Sequence, residues 1–545
     1  MAGTIAPAAL ADVLTDGAEF ALLDAREEGV FSDRHLFHAA CVPLSQVEMV
    51  IDAVVPRRST QIIWCDDDGA SEGLASKAAA RATDLGWTDC HILEGGIDAW
   101  AANGGEVYSG VNVPSKAFGE IVEQTYGTPH ISADDLKSLL DGQFTAAVPA
   151  VTVLDSRPMG EFRRRSIPTG VDCPGAELVH RVKEVVTDPD TLVVVNCAGR
   201  TRSIIGAQSL INAGVENRVV ALENGTMGWE LAGYETASGE EAHAPDPSPD
   251  ALAWAAGAAT GVGERFGVRQ IDVETLASWQ TDADRTTYLL DVRTDDEFEN
   301  GHIPGSRHAP GGQLVQATDE YVATRNARIV LVDADGVRAM MTASWLRQLG
   351  WNDAVVLAGG LEAFVTASGG ALAKGTTARS SVARASVQTI RPPALKEQLD
   401  AGEDVTVIDV GTSVKYRMRG HIPGSWWAIR SRMAEARAAI GDSARIVLTS
   451  TDGTLAKLSV ADAAEHWPDA DIAALAAGNK GWRHAGFDME PGFDRATTEP
   501  DDVWYKPYDH DEAVVRQHME DYLTWEVALV EQVERDPTVS FPTFA

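Results

Sequence analysis

The segment CAGRTRS, Cys197 to Ser203, places a thiol at the head of a short loop that also carries two guanidinium groups. An apolar run, LVVV, precedes it, and residues with helical spacing follow, so the segment reads as strand end, turn and helix start. Ala198, Gly199 and Thr201 are small enough to let successive backbone N–H groups turn inward around an anion. Ser203 would open the helix, whose N-terminal partial charge adds to the full charges of Arg200 and Arg202. Such surroundings lower a thiol pKa and favour the thiolate. The chemistry expected is nucleophilic attack by Cys197, with Ala198, Gly199, Arg200, Thr201, Arg202 and Ser203 binding an anionic partner. The plainer reading is an inert cysteine at a strand end. The coincidence of strand, small residues, two arginines and helix start in one segment weighs against it.

The elements that position this loop recur four times along the chain. Each copy begins with an apolar strand ending in Asp: Asp24, Asp155, Asp291 and Asp409. In three copies an Arg stands two residues later, as Arg26, Arg157 and Arg293. A second strand then ends at Cys65, Cys197, Asp333 and Ser450, which lie 41, 42, 42 and 41 residues after the respective Asp. Each copy closes with a Gly-rich turn and an aromatic: LEGGIDAW, LENGTMGW, LAGGLEAF and LAAGNKGW. Strands alternating with helices predict an α/β unit with a parallel sheet and its active loop at the carboxyl ends of the strands. The predicted organisation is four tandem domains, 1–110, 121–239, 263–371 and 383–492, followed by a tail, 493–545. Segments 110–120, 240–251 and 373–381 read as linkers. The tail contains an amphipathic helix from about Asp511 to Glu534, with Val515, Met519, Tyr522, Leu523 and Val530 on one face. That face could pack on the domains or offer a surface for self-association.

The bulk numbers bound the rest. A chain of 545 residues with 44% hydrophobic and 23% charged residues is that of a globular protein of about three to five domains. Its formal charge of −36 disfavours nucleic acid and anionic membrane as partners. No apolar run approaches the ~20 residues of a membrane span, and the N-terminus lacks the features of a signal peptide. Five scattered cysteines without a CxxC pair argue against a disulfide framework and a cysteine zinc site, and favour a cytoplasmic setting.

The combined pattern resembles the rhodanese sulfurtransferases. The resemblance rests on the strand-ending D-x-R, the H-I-P-G element at His302–Gly305 and His421–Gly424, the Cys-headed loop and the closing G-G-x-x-x-W. It covers roughly 24–100, 152–230, 288–364 and 405–482. It implies four tandem rhodanese-like domains, each a parallel sheet flanked by helices, and a thiosulfate sulfurtransferase in which Cys197 carries a persulfide. By position, Arg157 resembles the family's substrate arginine. An ion pair with Asp155 or Glu161 is an equally good reading of it.

Only the second loop joins Cys to Arg in this way. The first, CDDDGAS, surrounds Cys65 with three carboxylates that raise its pKa. The third has Asp333 at the nucleophile position, and the fourth has Ser450 without a neighbouring base. Domains one, three and four are therefore expected to be inactive. The Cys-x4-Arg spacing fits a sulfur atom on Cys197 better than the Cys-x5-Arg loop of related phosphatases. Two arginines suit the thiosulfate dianion better than mercaptopyruvate. Cyanide or a thiol would be the acceptor, and no cofactor or metal is expected. The alternatives are a non-catalytic persulfide carrier or scaffold in sulfur-amino-acid metabolism and a Cys-dependent phosphatase.

Overall fold

A computed structural model describes residues 2–376 and 387–544. The predicted third linker and the start of the fourth domain fall partly outside these residues. The chain divides into two compact units, one holding the first and fourth repeats and the other the second and third repeats with the C-terminal helix.

Each repeat contains one parallel sheet with helices on both faces, as the alternation of strands and helices predicted. In the second repeat the strands lie in the order His130–Ile131, Val219–Leu222, Thr191–Asn196, Ala150–Asp155 and Val171–Asp172. The third repeat has the same order, built from Arg269–Ile271, Ala354–Leu357, Arg328–Val332, Thr287–Asp291 and Arg307–His308. The fourth follows it with Thr389–Ile390, Asp471–Leu475, Arg445–Thr449, Val405–Asp409 and Trp426–Trp427. In the first, Gly3–Ile5, Cys90–Leu93, Gln61–Cys65, Phe20–Asp24 and Ala40–Cys41 pair in the corresponding order. The central strands are apolar and buried throughout, as in Thr191–Asn196, because helices cover both faces.

Most of the first predicted linker is helix, and a second helix starts in the last three residues of the second linker. Val113–Tyr126 starts with Pro in its first turn and buries Val113, Ala117, Phe118 and Val122. The boundary drawn at 121 cuts this helix. Pro249–Arg265 is capped by Ser248, whose side chain accepts from the Ala251 amide, and it buries Ala251, Ala255 and Ala259. In both cases a proline stands in the first turn of the helix, where its missing N–H costs nothing. No helix among the described residues is long and apolar enough to cross a membrane.

The tail helix spans Val515–Arg535 and packs along Val113–Tyr126. Its buried face holds Met519, Leu523, Leu529, Val530 and Val533, so the apolar stripe is used within its own unit.

Candidate active site

Cys197 stands immediately after the strand Thr191–Asn196, and the helix Thr201–Asn212 begins four residues later. The loop between them is held from behind by the closing signature. Thr226 and Met227 donate backbone N–H to the carbonyls of Cys197 and Ala198 at 2.8 and 3.0 Å. Gly225, at φ +56°, lies so close that a Cβ there would meet the Cys197 carbonyl oxygen at 2.4 Å. Gly96, Gly360 and Gly478 press on their own loops in the same way, against Asp66, Asp333 and Ser450 carbonyl oxygens at 2.5, 2.2 and 2.1 Å. The repeated glycine is thus a steric requirement of the loop, independent of its chemistry.

Inside the loop, Ser203 Oγ donates to Cys197 Sγ at 2.9 Å. Among the described residues, the amides of Ala198, Gly199, Arg200, Thr201 and Arg202 meet no protein acceptor. Cys197 therefore heads a loop of unused donors at a helix N-terminus, a set of groups suited to an anion. The thiol itself is only 2% exposed.

The arginines are engaged. Arg200 binds Glu120 through Nε and Nη2 at 2.7 and 2.8 Å and also reaches Glu123 and Asn224. Arg202 makes a paired contact with Glu161 at 3.0 and 2.9 Å and touches Gln313 at 3.3 Å. The carboxylates beside each hold its proton far more firmly than usual, so both remain charged. Arg157 clamps Asp155 through Nε and Nη2 at 2.8 and 2.7 Å and reaches the Arg165 carbonyl. Arg26 with Asp24 and Arg293 with Asp291 make the same clip in the first and third repeats. A contact shared by copies that lack the Cys–Arg loop is architectural, which favours the ion-pair reading of Arg157 over substrate binding. Arg163 and Arg165, from the basic run after Glu161, pair with Glu241 and Glu230.

Sequence reasoning missed the residues that cover the loop. Glu526 of the tail helix is fully buried, and its Oε1 accepts from Thr201 Oγ1 at 3.2 Å, Tyr522 at 3.0 Å and Lys116 at 3.0 Å. Its Oε2 has no partner, and a Cβ on Gly199 would lie 3.0 Å from it. Burial, then Glu526, push the Tyr522 hydroxyl well above the usual phenol range. The available signal was a Glu in register with Met519, Leu523 and Val530 on an otherwise apolar face. Lys116 and Glu120 were hidden by reading their helix as a linker.

The first and third loops are filled from within. Asp333 Oδ1 accepts from the Gly336 amide at 2.7 Å, and its Oδ2 accepts from Ala339 at 3.0 Å. Asp66, next to Cys65, takes the Gly69 and Ala75 amides at 2.7 and 2.8 Å. Burial first, and then Asp24, Asp66 and Asp67, raise the Cys65 thiol well above its usual range. Among the described residues no group of His, Cys, Asp and Glu is arranged to hold a metal ion, and all five cysteines are free thiols.

Comparison with known proteins places this arrangement. The rhodanese-like domain model matches residues 6–103, 132–232 and 272–367, more than half of the chain. A crystal structure of thiosulfate sulfurtransferase from Pseudomonas aeruginosa is 43% identical, covers 100% of both chains and superposes with a TM-score of 0.92. Among curated proteins of Bacillus subtilis, YrkF is 29% identical over 94 residues and YqhL 36% over 78 residues. Those matches cover 17% and 14% of this chain and only 49% and 60% of the relatives' own lengths.

Proposed function

The chain belongs to the rhodanese family and is a rhodanese-type sulfurtransferase, and from that premise we propose that it moves the outer sulfur of thiosulfate through Cys197 to cyanide or a thiol. The observation that carries this reading is the second loop, where a cysteine heads a cradle of unused amides. Support for thiosulfate as donor comes from the full-length similarity to the Pseudomonas aeruginosa enzyme.

In the first step the Cys197 thiolate attacks the outer sulfur of thiosulfate. A Cys–S bond forms, the S–S bond of thiosulfate breaks, and sulfite leaves with its electron pair. The terminal sulfur of the resulting persulfide carries negative charge, which the amides of residues 198–202 stabilise. In the second step the acceptor attacks that terminal sulfur and Cys197 departs as thiolate. Ser203 Oγ, already on Sγ, supports the thiolate in both states. Arg200 and Arg202, each paired with glutamate, contribute by shaping the loop. A reducing cytoplasm suits an enzyme that depends on a free thiol.

Incubation with thiosulfate followed by peptide mass spectrometry tests the assignment. Cys197 should gain the mass of one sulfur atom and lose it on adding cyanide, with thiocyanate released. Sulfur on another cysteine, or Cys197-dependent hydrolysis of phosphate esters without sulfur uptake, would sink it.

A further inference from the structure

The fourth repeat keeps an open loop without a nucleophile, and that loop borders a cavity. Ser450 replaces the cysteine, and the amides of Thr451 and Asp452 meet no acceptor among the described residues. The cavity beside them has a volume of about 240 Å3, several times the ~30 Å3 that one water occupies in the liquid. It lies wholly within the unit formed by the first and fourth repeats.

Its lining is bipolar. Lys415 reaches it from the helix Ser413–Arg419, is exposed, and forms no ion pair among the described residues. Arg430 also borders it but is consumed by Glu48 and Asp462 at 2.7–2.9 Å. Two buried carboxyls, Glu27 and Asp502, also border it. Asp502 is 7% exposed; its Oδ2 accepts from the Ser413 amide at 2.8 Å, whereas Oδ1 has no partner. Glu27 holds Ser45 and Ser431 hydroxyls at 2.8 Å. Burial raises both carboxyls above their usual range, Glu27 to about 7. Trp427 and Leu455 add apolar wall.

A buried carboxylate oxygen without a donor calls for a cationic group. Open loop amides and a free lysine call for an anionic one. We propose that this cavity binds a small zwitterion of the α-amino-acid class, its ammonium toward Asp502 and Glu27 and its carboxylate toward Lys415 and the Thr451–Asp452 amides. With Ser450 in place of cysteine the ligand is held and not transformed. The fourth repeat is thereby a binding module attached to the catalytic one.

Isothermal titration calorimetry of the full-length protein with L-serine, L-methionine, n-propylamine and propionate tests this. At least one of the two amino acids should bind once per chain, about tenfold or more tighter than either single-charge analogue. Asp502→Asn, which preserves shape, and Lys415→Gln, at an exposed position, should each weaken that binding by about tenfold. Sulfur transfer measured without amino acid should be unchanged in both variants. No heat with either amino acid, equal binding of propylamine or propionate, or amino-acid binding that survives both substitutions would overturn the proposal.

Discussion

The second and third repeats share a sheet order and a closing turn, yet their loops differ in who occupies the cradle. In the third, the side chain of Asp333 folds back onto the Gly336 and Ala339 amides, so the protein supplies its own anion. In the second, Cys197 stands at that position, Glu526 meets the loop through the Thr201 hydroxyl, and the amides of residues 198–202 stay unused. The arginines do not diverge: Arg202 pairs with Glu161 and reaches Gln313 of the third repeat. Arg338 of the third loop is 1% exposed and is tied to Glu177 of the second repeat at 3.0 Å and to Glu297 at 2.7 Å. In both repeats this arginine belongs to the packing between them, so the difference lies in the residue that heads the loop. In the first repeat Asp66, beside Cys65, takes the Gly69 and Ala75 amides in a similar way. An anion site is lost as readily by filling it from within as by losing its nucleophile.

The comparison breaks most visibly if the third repeat's solution is copied into the second. Cys197→Asp should remove thiosulfate:cyanide activity by at least ~1,000-fold, the scale seen when a nucleophile is lost. Its thermal midpoint should not fall, because the carboxylate takes the open amides. A large loss of stability would show that the cradle is not the anion site described. Next in size is Ser203→Ala. It deletes the hydrogen bond to Cys197 Sγ and should lower kcat about tenfold, since bonds to a charged group are worth roughly 1.5–3 kcal/mol. Steady-state kinetics would read it, and an unchanged kcat would remove Ser203 from the mechanism.

Asp333→Asn sharpens the third-repeat side. Burial pushes the Asp333 carboxyl up to about 6. The folded chain therefore keeps a proton that the unfolded chain has released, and this contribution is stabilising below pH ~4 and lost as pH rises through ~6. Asn cannot ionise, so the variant's melting temperature relative to wild type should rise by about 2–4 °C between pH 4 and 7. A difference independent of pH would contradict the role given to Asp333. Smallest is Cys65→Ser, which should leave kcat/KM within about twofold and should not change where sulfur appears after thiosulfate treatment.

Much of this was legible because it depends on local pattern. Four strand–Asp–loop–Gly repeats at nearly constant spacing, Cys-headed loops in two of them with arginines in only one, and a carboxylate in that place in another can be read along the chain. The clip made by D-x-R was less legible: an Arg two residues after Asp is compatible with either a substrate contact or an ion pair, and only its recurrence as an ion pair in Arg26, Arg157 and Arg293 favours one. The glutamates on Arg200 lie on a helix mistaken for a linker, because proline marks helix starts and turns alike.

What the sequence by itself determined is the repeated α/β unit and the contrast between a loop that joins Cys197 to two arginines and the loops headed by Cys65, Asp333 and Ser450. Those follow from residue types a few positions apart, where backbone geometry fixes who is near whom. What only the tertiary structure decided is what surrounds that cysteine. Glu526, Tyr522 and Lys116 converge on its loop from segments hundreds of residues apart, and Arg200 and Arg202 arrive already paired. Burial of a charged group is favourable only when distant partners meet it, and no spacing along the chain encodes that meeting.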